Sequence, residues 1–351
     1  MPCALIVPAE TQTGIAAYAA ALRAGNIRPG KRLVGTLRSS SLPELTADDV
    51  LRGLLDTKEP CIFAESAVRG DGRDWTLREL SLLGDLSVAV DVTVYDDGRH
   101  SVPLVHAQPF AGTLVFTPGA LLRNACGQPP ADWAEATTPA GLLDPAGFAA
   151  LYLRRLQPVF AYIHDHALRL GVRAFVTVPG LGCGQFAGPF RGELGERLEE
   201  VLHRLLREHG HAWPALRAVY FDPYDECSPH RSRHHGIDFL VRPLTQSRQA
   251  GRPQLCPTGD YAENQNDDFG TCRLYSLVAW DHVSWPGNDF NAGSRATDDG
   301  VKAAATSALH ALTGIEGRYD PKCHAYLPPP PAATWSGLLQ GRRFPALPRF
   351  P

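Results

Sequence analysis

The sequence has no Cys-x-x-Cys pair: its eight cysteines, Cys3, Cys61, Cys126, Cys183, Cys227, Cys256, Cys272 and Cys323, are scattered without regular spacing. That excludes the common structural zinc frameworks and a disulfide scaffold, and fits thiols kept in a reducing compartment. Lysine is scarce, with only Lys31, Lys58, Lys302 and Lys322, so there is no Gly-Lys-Ser/Thr phosphate loop. No apolar run approaches the ~18 residues of a membrane span. The start, Met1-Pro2-Cys3-Ala4-Leu5-Ile6-Val7-Pro8, lacks the basic segment and long apolar run of a Sec signal. Neither sign of charge dominates: 34 Lys and Arg against 37 Asp and Glu leave a net charge of −3, which gives no basic field to hold nucleic acid. The expectation is a cytoplasmic protein with no nucleic-acid or membrane partner, no metal and no cofactor. Type III or IV export signals need leave no trace in these features.

What is present is apolar material for a large core: 44% of 351 residues are hydrophobic, enough for one large domain or two ordinary ones. Strands and helices alternate most clearly in the second half. Asp144-Pro145 supplies a cap and a first-turn proline, and apolar residues then recur at helical spacing to Gly171, with Pro158 expected to kink the helix. Val172–Val178 is a buried strand by its β-branched apolar run, and Leu194 to Leu206 is an amphipathic helix. Further strands are expected at Leu216–Phe221, Ile237–Val241 and Leu274–Trp280, and a last helix from about Gly300 to Leu312. In the first half, Gly14–Ala24 and Thr46–Leu55 read as helices, the latter capped by Thr46 with Asp49. Leu86–Tyr95 alternates up to an Asp97-Gly98 hairpin signal, and Leu114–Phe116 is a short strand. The pattern predicts a three-layer α/β/α sandwich on a mixed sheet. Residues 1–110 form an amino-terminal extension packed on or joining that sheet, 111–326 the core, and 327–351 a proline-rich tail extended over the surface.

Two segments carry chemistry. Pro179-Gly180-Leu181-Gly182-Cys183-Gly184-Gln185-Phe186-Ala187-Gly188 lies between a strand and a helix, where glycines turn backbone amides toward an anion and a helix start adds positive potential. It fits neither the Gly-x-Gly-x-x-Gly nor the P-loop spacing, and a merely structural turn is the alternative. The second segment, Trp280 to Gly300, places Asp281, Asp289, Asp298 and Asp299 in a long loop at the carboxyl end of a strand, where open α/β sheets bind their ligands. Grouped carboxylates suit glycoside-type chemistry. For Asp298 alone, a helix cap is the favoured reading. Cys183 reads as a compact filler rather than a nucleophile with His282. His230-Arg231-Ser232-Arg233-His234-His235 reads as a solvated basic loop rather than a metal site, and Glu263–Asp268 as a polar loop over the ligand.

Val178-Pro179-Gly180-Leu181-Gly182-Cys183-Gly184 resembles the diphosphate-binding loop of macrodomains. Trp280-Asp281-His282-Val283-Ser284-Trp285-Pro286-Gly287-Asn288-Asp289 with Arg295-Ala296-Thr297-Asp298-Asp299-Gly300 resembles the MavL-type members, ADP-ribosylhydrolases acting on arginine. The likeness covers about Leu114 to Gly314, and the spacing of that group's catalytic aspartates is matched by Asp281, Asp289 and Asp299, eight and ten residues apart. The resemblance implies a macrodomain-like fold and hydrolysis of mono-ADP-ribose from arginine-modified protein. In that reading the amides of Gly182, Cys183, Gly184 and Gln185 hold the diphosphate, Gly180 and Leu181 belong to the same ADP-ribose-binding loop, and Thr117-Pro118-Gly119 form a second loop. Phe186 shields the distal ribose, with Asn288 beside it. The Asn-rich loop of ordinary macrodomains and the paired glutamates of polymer-cleaving relatives are missing. The alternatives are a non-catalytic ADP-ribose reader and, more remotely, a different nucleotide-sugar or NAD hydrolase.

Overall fold

A computed structural model describes residues 3–37, 44–62, 74–123, 129–244 and 253–350; Cys126 lies outside them. The main sheet has nine strands among the described residues: β1 (Cys3–Ile6), β2 (Ser87–Asp96), β3 (Val105–Pro118), β4 (Arg173–Pro179), β5 (Leu216–Asp222), β6 (His230–His234), β7 (Ile237–Val241), β8 (Cys272–Trp280) and β11 (Arg349–Phe350). Their order is β11-β1-β2-β3-β8-β4-β5-β7-β6. β3, β8, β4, β5 and β7 run parallel, while β1, β2 and β3 form an antiparallel meander and β6 closes the far edge antiparallel to β7. The short β9 (Arg318–Asp320) and β10 (Ala325–Leu327) pair separately.

Alternation along the central strands sends side chains to two cores. Val176, Val178, Tyr275 and Leu277 face the helices Pro145–Leu170 and Leu194–His209. Phe175, Leu274, Val278 and Trp280 face the amino-terminal helices Ala9–Arg23, Ala47–Asp56 and Leu77–Gly84 together with Asp298–Ala304 and Ala308–Thr313. The architecture is the three-layer α/β/α sandwich with a mixed sheet. The Thr46–Asp49 capping box is formed, and Asp144 caps the long helix, which runs on through Pro158 to a left-handed Gly171. Among the described residues no helix is long and apolar enough to cross a membrane.

Four expectations are corrected. The last helix is two helices: Tyr95 N donates to Ala305 O (2.8 Å), Ser307 N to Thr93 O (3.0 Å) and Thr93 N to Ser307 Oγ (2.9 Å), so the far half of β2, which β1 does not reach, diverts the Ala305 carbonyl and the Ser307 amide from helical pairing. Asp97-Gly98 opens an eight-residue connection, 97–104, rather than a two-residue hairpin, and β3 is fourteen residues long. His230–His234 is an edge strand, not a loop. The proline-rich tail contains the helix Trp335–Leu339 and adds β11 parallel to β1, burying Trp335, Leu339 and Phe344.

Candidate active site

The carboxyl ends of β3, β4, β5, β7 and β8 share one edge, and the loops that leave them build the site. After β3 and β4, two loops cross in backbone contact. A Cβ placed on Gly119 would sit 2.2 Å from Gly182 N, and one on Gly182, whose φ is +74°, 2.7 Å from Tyr152 Oη. Only glycine fits at either point. Tyr152 ties the two loops, accepting from Ala120 N (2.9 Å) and donating to Leu181 O (2.5 Å). Gly119→Ala should therefore cost about 1–3 kcal/mol of stability, read as a shift in the urea midpoint; an unchanged midpoint would show that the loops part without penalty.

Within the glycine loop, Cys183 N donates back to Gly180 O (3.1 Å) and Leu181 N to Pro179 O (2.7 Å). These amides close the turn, which corrects the expectation that the Cys183 amide faces a ligand. Among the described residues the amides of Gly182 and Gly184 have no acceptor, and Gly184 and Gln185 are exposed. The Cys183 thiol is buried and pushed well above its usual range by that burial, with Glu226 adding to the shift, so no thiolate nucleophile is present.

One flank of this loop opens on a cavity of about 680 Å³ lined by Gly180, Cys183, Asp222, Gln254, Asp298 and Lys302, among others. Lys302 Nζ donates to Gln254 Oε1 (2.8 Å), Leu277 O (2.6 Å) and Asp298 Oδ2 (3.1 Å), and Gln254 Nε2 donates to Asp222. Burial pushes the Asp222 carboxyl up to about 8, against the bond from Gln254, so it carries a proton at neutral pH. Asp298 is not the helix cap. Thr297 is, accepting from Gly300 N (3.3 Å), while Asp298 accepts from Ala279 N (2.8 Å) and meets Lys302.

On the other flank lie the three aspartates that share the matched spacing. Phe186 meets the buried His282 edge-on, with ring centroids 6.2 Å apart, and so joins the glycine loop to the aspartate loop. Asp281 accepts from Val283 N and Ser284 N (2.7 Å each), from Ser284 Oγ, and from Asn288 Nδ2 (3.0 Å). Asn288 N in turn donates to Asp299 Oδ2 (2.8 Å), and Asp299 Oδ1 accepts from Thr297 Oγ1 (2.5 Å). Asp289 follows Asn288 and packs against Gly300; its carbonyl accepts from Ala292 N and Ser294 N. All three are buried, and none lines the cavity. Burial raises the Asp299 carboxyl to about 7; the Thr297 hydroxyl opposes that shift and the charges of Asp281 and Asp289 add to it. A carboxyl poised near neutrality beside two others can exchange a proton where glycosidic chemistry needs one.

Several members of the site carry no local sequence signal. Lys58 is buried under Trp280, its ammonium 4.0 Å from the ring centroid, and donates to His282 O (2.7 Å). Its burial lowers it to about 7 against the pull of Asp281. Around it, Trp285 N donates to Glu59 O (2.8 Å), Glu59 N to Val283 O (3.1 Å), and Ile62 N to Asn288 Oδ1 (2.9 Å), so residues 58–62 pair with the aspartate loop like a strand. Arg155 is buried on the other side, bound to Asp85 Oδ1 (3.0 Å), Gly119 O (2.9 Å) and Asp132 Oδ1 (2.8 Å). Asp132 also accepts from Leu121 N (2.7 Å) and lies 3.5 Å from His282 Nε2. The Glu263–Asp268 segment does not reach the site: its carboxylates pair with Arg173, Arg217, Arg231 and Arg242.

No curated protein matches the chain. The model of a protein family described as Macrodomain effector MavL matches it over residues 3–332. The match takes in the amino-terminal strands and Lys58–Ile62 as well as the two loops, and with nearly the whole chain covered, the chain belongs to the MavL macrodomain effector family.

Proposed function

We propose that the chain is a hydrolase that removes mono-ADP-ribose from arginine side chains of modified proteins. The observation that carries this reading is linear: an open cavity, then the exposed amide of Gly184, then three aspartates around Asn288, along one edge of the sheet. That order suits a ligand with a nucleoside at one end, a diphosphate in the middle and a ribose at the other. The cavity takes the adenosine, with protonated Asp222 offering a donor to it. The exposed Gly184 N–H meets the diphosphate, and Thr117-Pro118-Gly119 with the buried Gly182 shapes the crossing beneath. Phe186 covers the distal ribose.

At that ribose the C1–N bond to the guanidinium breaks and its electron pair leaves with nitrogen, which takes a proton. Water adds to C1 and loses a proton to a carboxylate. Asp281, fixed by four donors, stabilises the oxocarbenium-like charge. Asp299 is the proton acceptor, and Asp289 aligns the ribose hydroxyls. The test is release of free ADP-ribose from protein mono-ADP-ribosylated on arginine, beside serine- and glutamate-linked substrates. Release from the arginine substrate alone is expected. Release only from another linkage would overturn the arginine assignment, and saturable ADP-ribose binding without any release would make the chain a reader instead.

A further inference from the structure

Far from the aspartates, on the outer edge of the sheet, the helix Leu194–His209 lies against β6, and four side chains there converge. Glu199 and His203 stand one helical turn apart on the same face. His230 and His234 project from β6. His203 Nε2 is 3.3 Å from His230 Nε2, and Glu199 Oε1 lies 3.8 Å from the first and 3.5 Å from the second. Three donors held at about 2.0–2.1 Å from a tetrahedral zinc lie about 3.3–3.4 Å from one another, so these atoms already stand near the corners of such a site.

The outer nitrogens orient the inner ones. His230 Nδ1 is 3.1 Å from Ser228 O, a carbonyl that only accepts, so this nitrogen carries the hydrogen and His230 Nε2 presents a lone pair inward. His203 Nδ1 lies 2.9 Å from His234 Nε2, and in the tautomer in which His203 donates along that contact its Nε2 points a second lone pair at the same spot. A carboxylate oxygen completes the trio. Lone pairs facing one another at this distance repel, and a cation between them satisfies all three at once. Phe239 packs edge-on against both His203 and His230 as an apolar floor, while the trio is only partly covered, which leaves an open position for water.

We propose that Glu199, His203 and His230 bind a zinc ion, with water as the fourth ligand and His234 as the residue that positions His203. The ion clips β6 to the helix that follows the glycine loop. It is independent of the hydrolase reading.

The experiment uses the full chain, expressed without a polyhistidine tag, stripped with chelator and titrated with zinc chloride in a calorimeter. One zinc per chain is expected, together with a rise in melting temperature on adding zinc. Glu199→Gln, which keeps the side chain's shape, and His230→Ala should each lose both the uptake and the rise, with far-ultraviolet circular dichroism unchanged. His234→Ala should weaken affinity about 10–100-fold without abolishing it, as expected when a partner of a ligand is removed. No uptake by the wild type, or uptake unaltered in Glu199→Gln and His230→Ala alike, would overturn the assignment.

Discussion

Asp299→Asn should lose ADP-ribose release by about 10²–10⁴-fold, the usual worth of a proton acceptor, and should also be more stable than the wild type above pH 7. The asparagine keeps the local bonds: its oxygen accepts from Asn288 N and its amide donates to the Thr297 hydroxyl. What it removes is a buried charge beside Asp281 and Asp289. Because burial raises this carboxyl from its ordinary value of 3.8 to about 7, the folded wild type holds a proton that the unfolded chain releases. Wild-type stability therefore falls as pH climbs from 3.8 to 7, and the gap between variant and wild type opens across that window and then stays constant. Turnover should show the same group with opposite consequence, rising with pH through about 7 as the carboxylate forms. Binding of ADP-ribose should survive in Asp299→Asn and, weakened by the loss of the ribose contact, in Asp289→Ala, since cavity and glycine loop are untouched. Melting curves at pH 4 and pH 8 and a pH–rate profile check both halves; equal stability at the two pH values would remove Asp299 from the role of neutral-range base.

Arg155→Met carries the largest expected stability loss, about 3–5 kcal/mol, because it leaves two buried carboxylates without their shared cation. Asp85 retains Arg154 and Thr11, but Asp132 keeps only Leu121 N and the His282 edge. Although burial opposes it, the charge of Arg155 holds the Asp132 carboxyl well below its ordinary value, so in the wild type this bond stabilises the fold above the usual carboxylate range and is lost as pH falls toward the depressed value. The difference between Arg155→Met and wild type should narrow on acidification below about pH 4. Guanidinium chloride melts at pH 7 and pH 3.5 read this directly, and a difference that stays constant with pH would show that packing, not charge, makes Arg155 important. Since Arg155 also holds Gly119 O, the variant should weaken ADP-ribose binding at temperatures where it is still folded.

The parts of the fold that sequence reading reaches are those buried on both faces. Val172–Val178, Leu216–Phe221 and Leu274–Trp280 are continuous apolar runs because helices cover them above and below, and the structure begins and ends them within about two residues of the expected bounds. What escapes is set by tertiary pairing. The polar run His230-Arg231-Ser232-Arg233-His234 becomes a strand only because β7 offers it an edge. Ala305, Thr306 and Ser307 continue a helical period, yet the helix breaks there because Tyr95 N takes the Ala305 carbonyl and Thr93 O takes the Ser307 amide. The aspartate loop and the glycine loop are legible as motifs. Lys58, Asp132 and Gln254 are not, since a buried ion is visible only once its surroundings are assembled.

The pairing of Lys58–Ile62 with the aspartate loop makes the site a product of the whole chain. The Lys58–His282 bond closes a span of 224 residues, and the entropy of joining such distant points is recovered only when the intervening strands have docked. The aspartates therefore acquire their buried state, and Asp299 its raised carboxyl, late in folding. A polypeptide shortened from its amino end, carrying both loops but not residues 58–62, would leave Asp299 open to water at ordinary acidity and so without the raised carboxyl that the full fold provides.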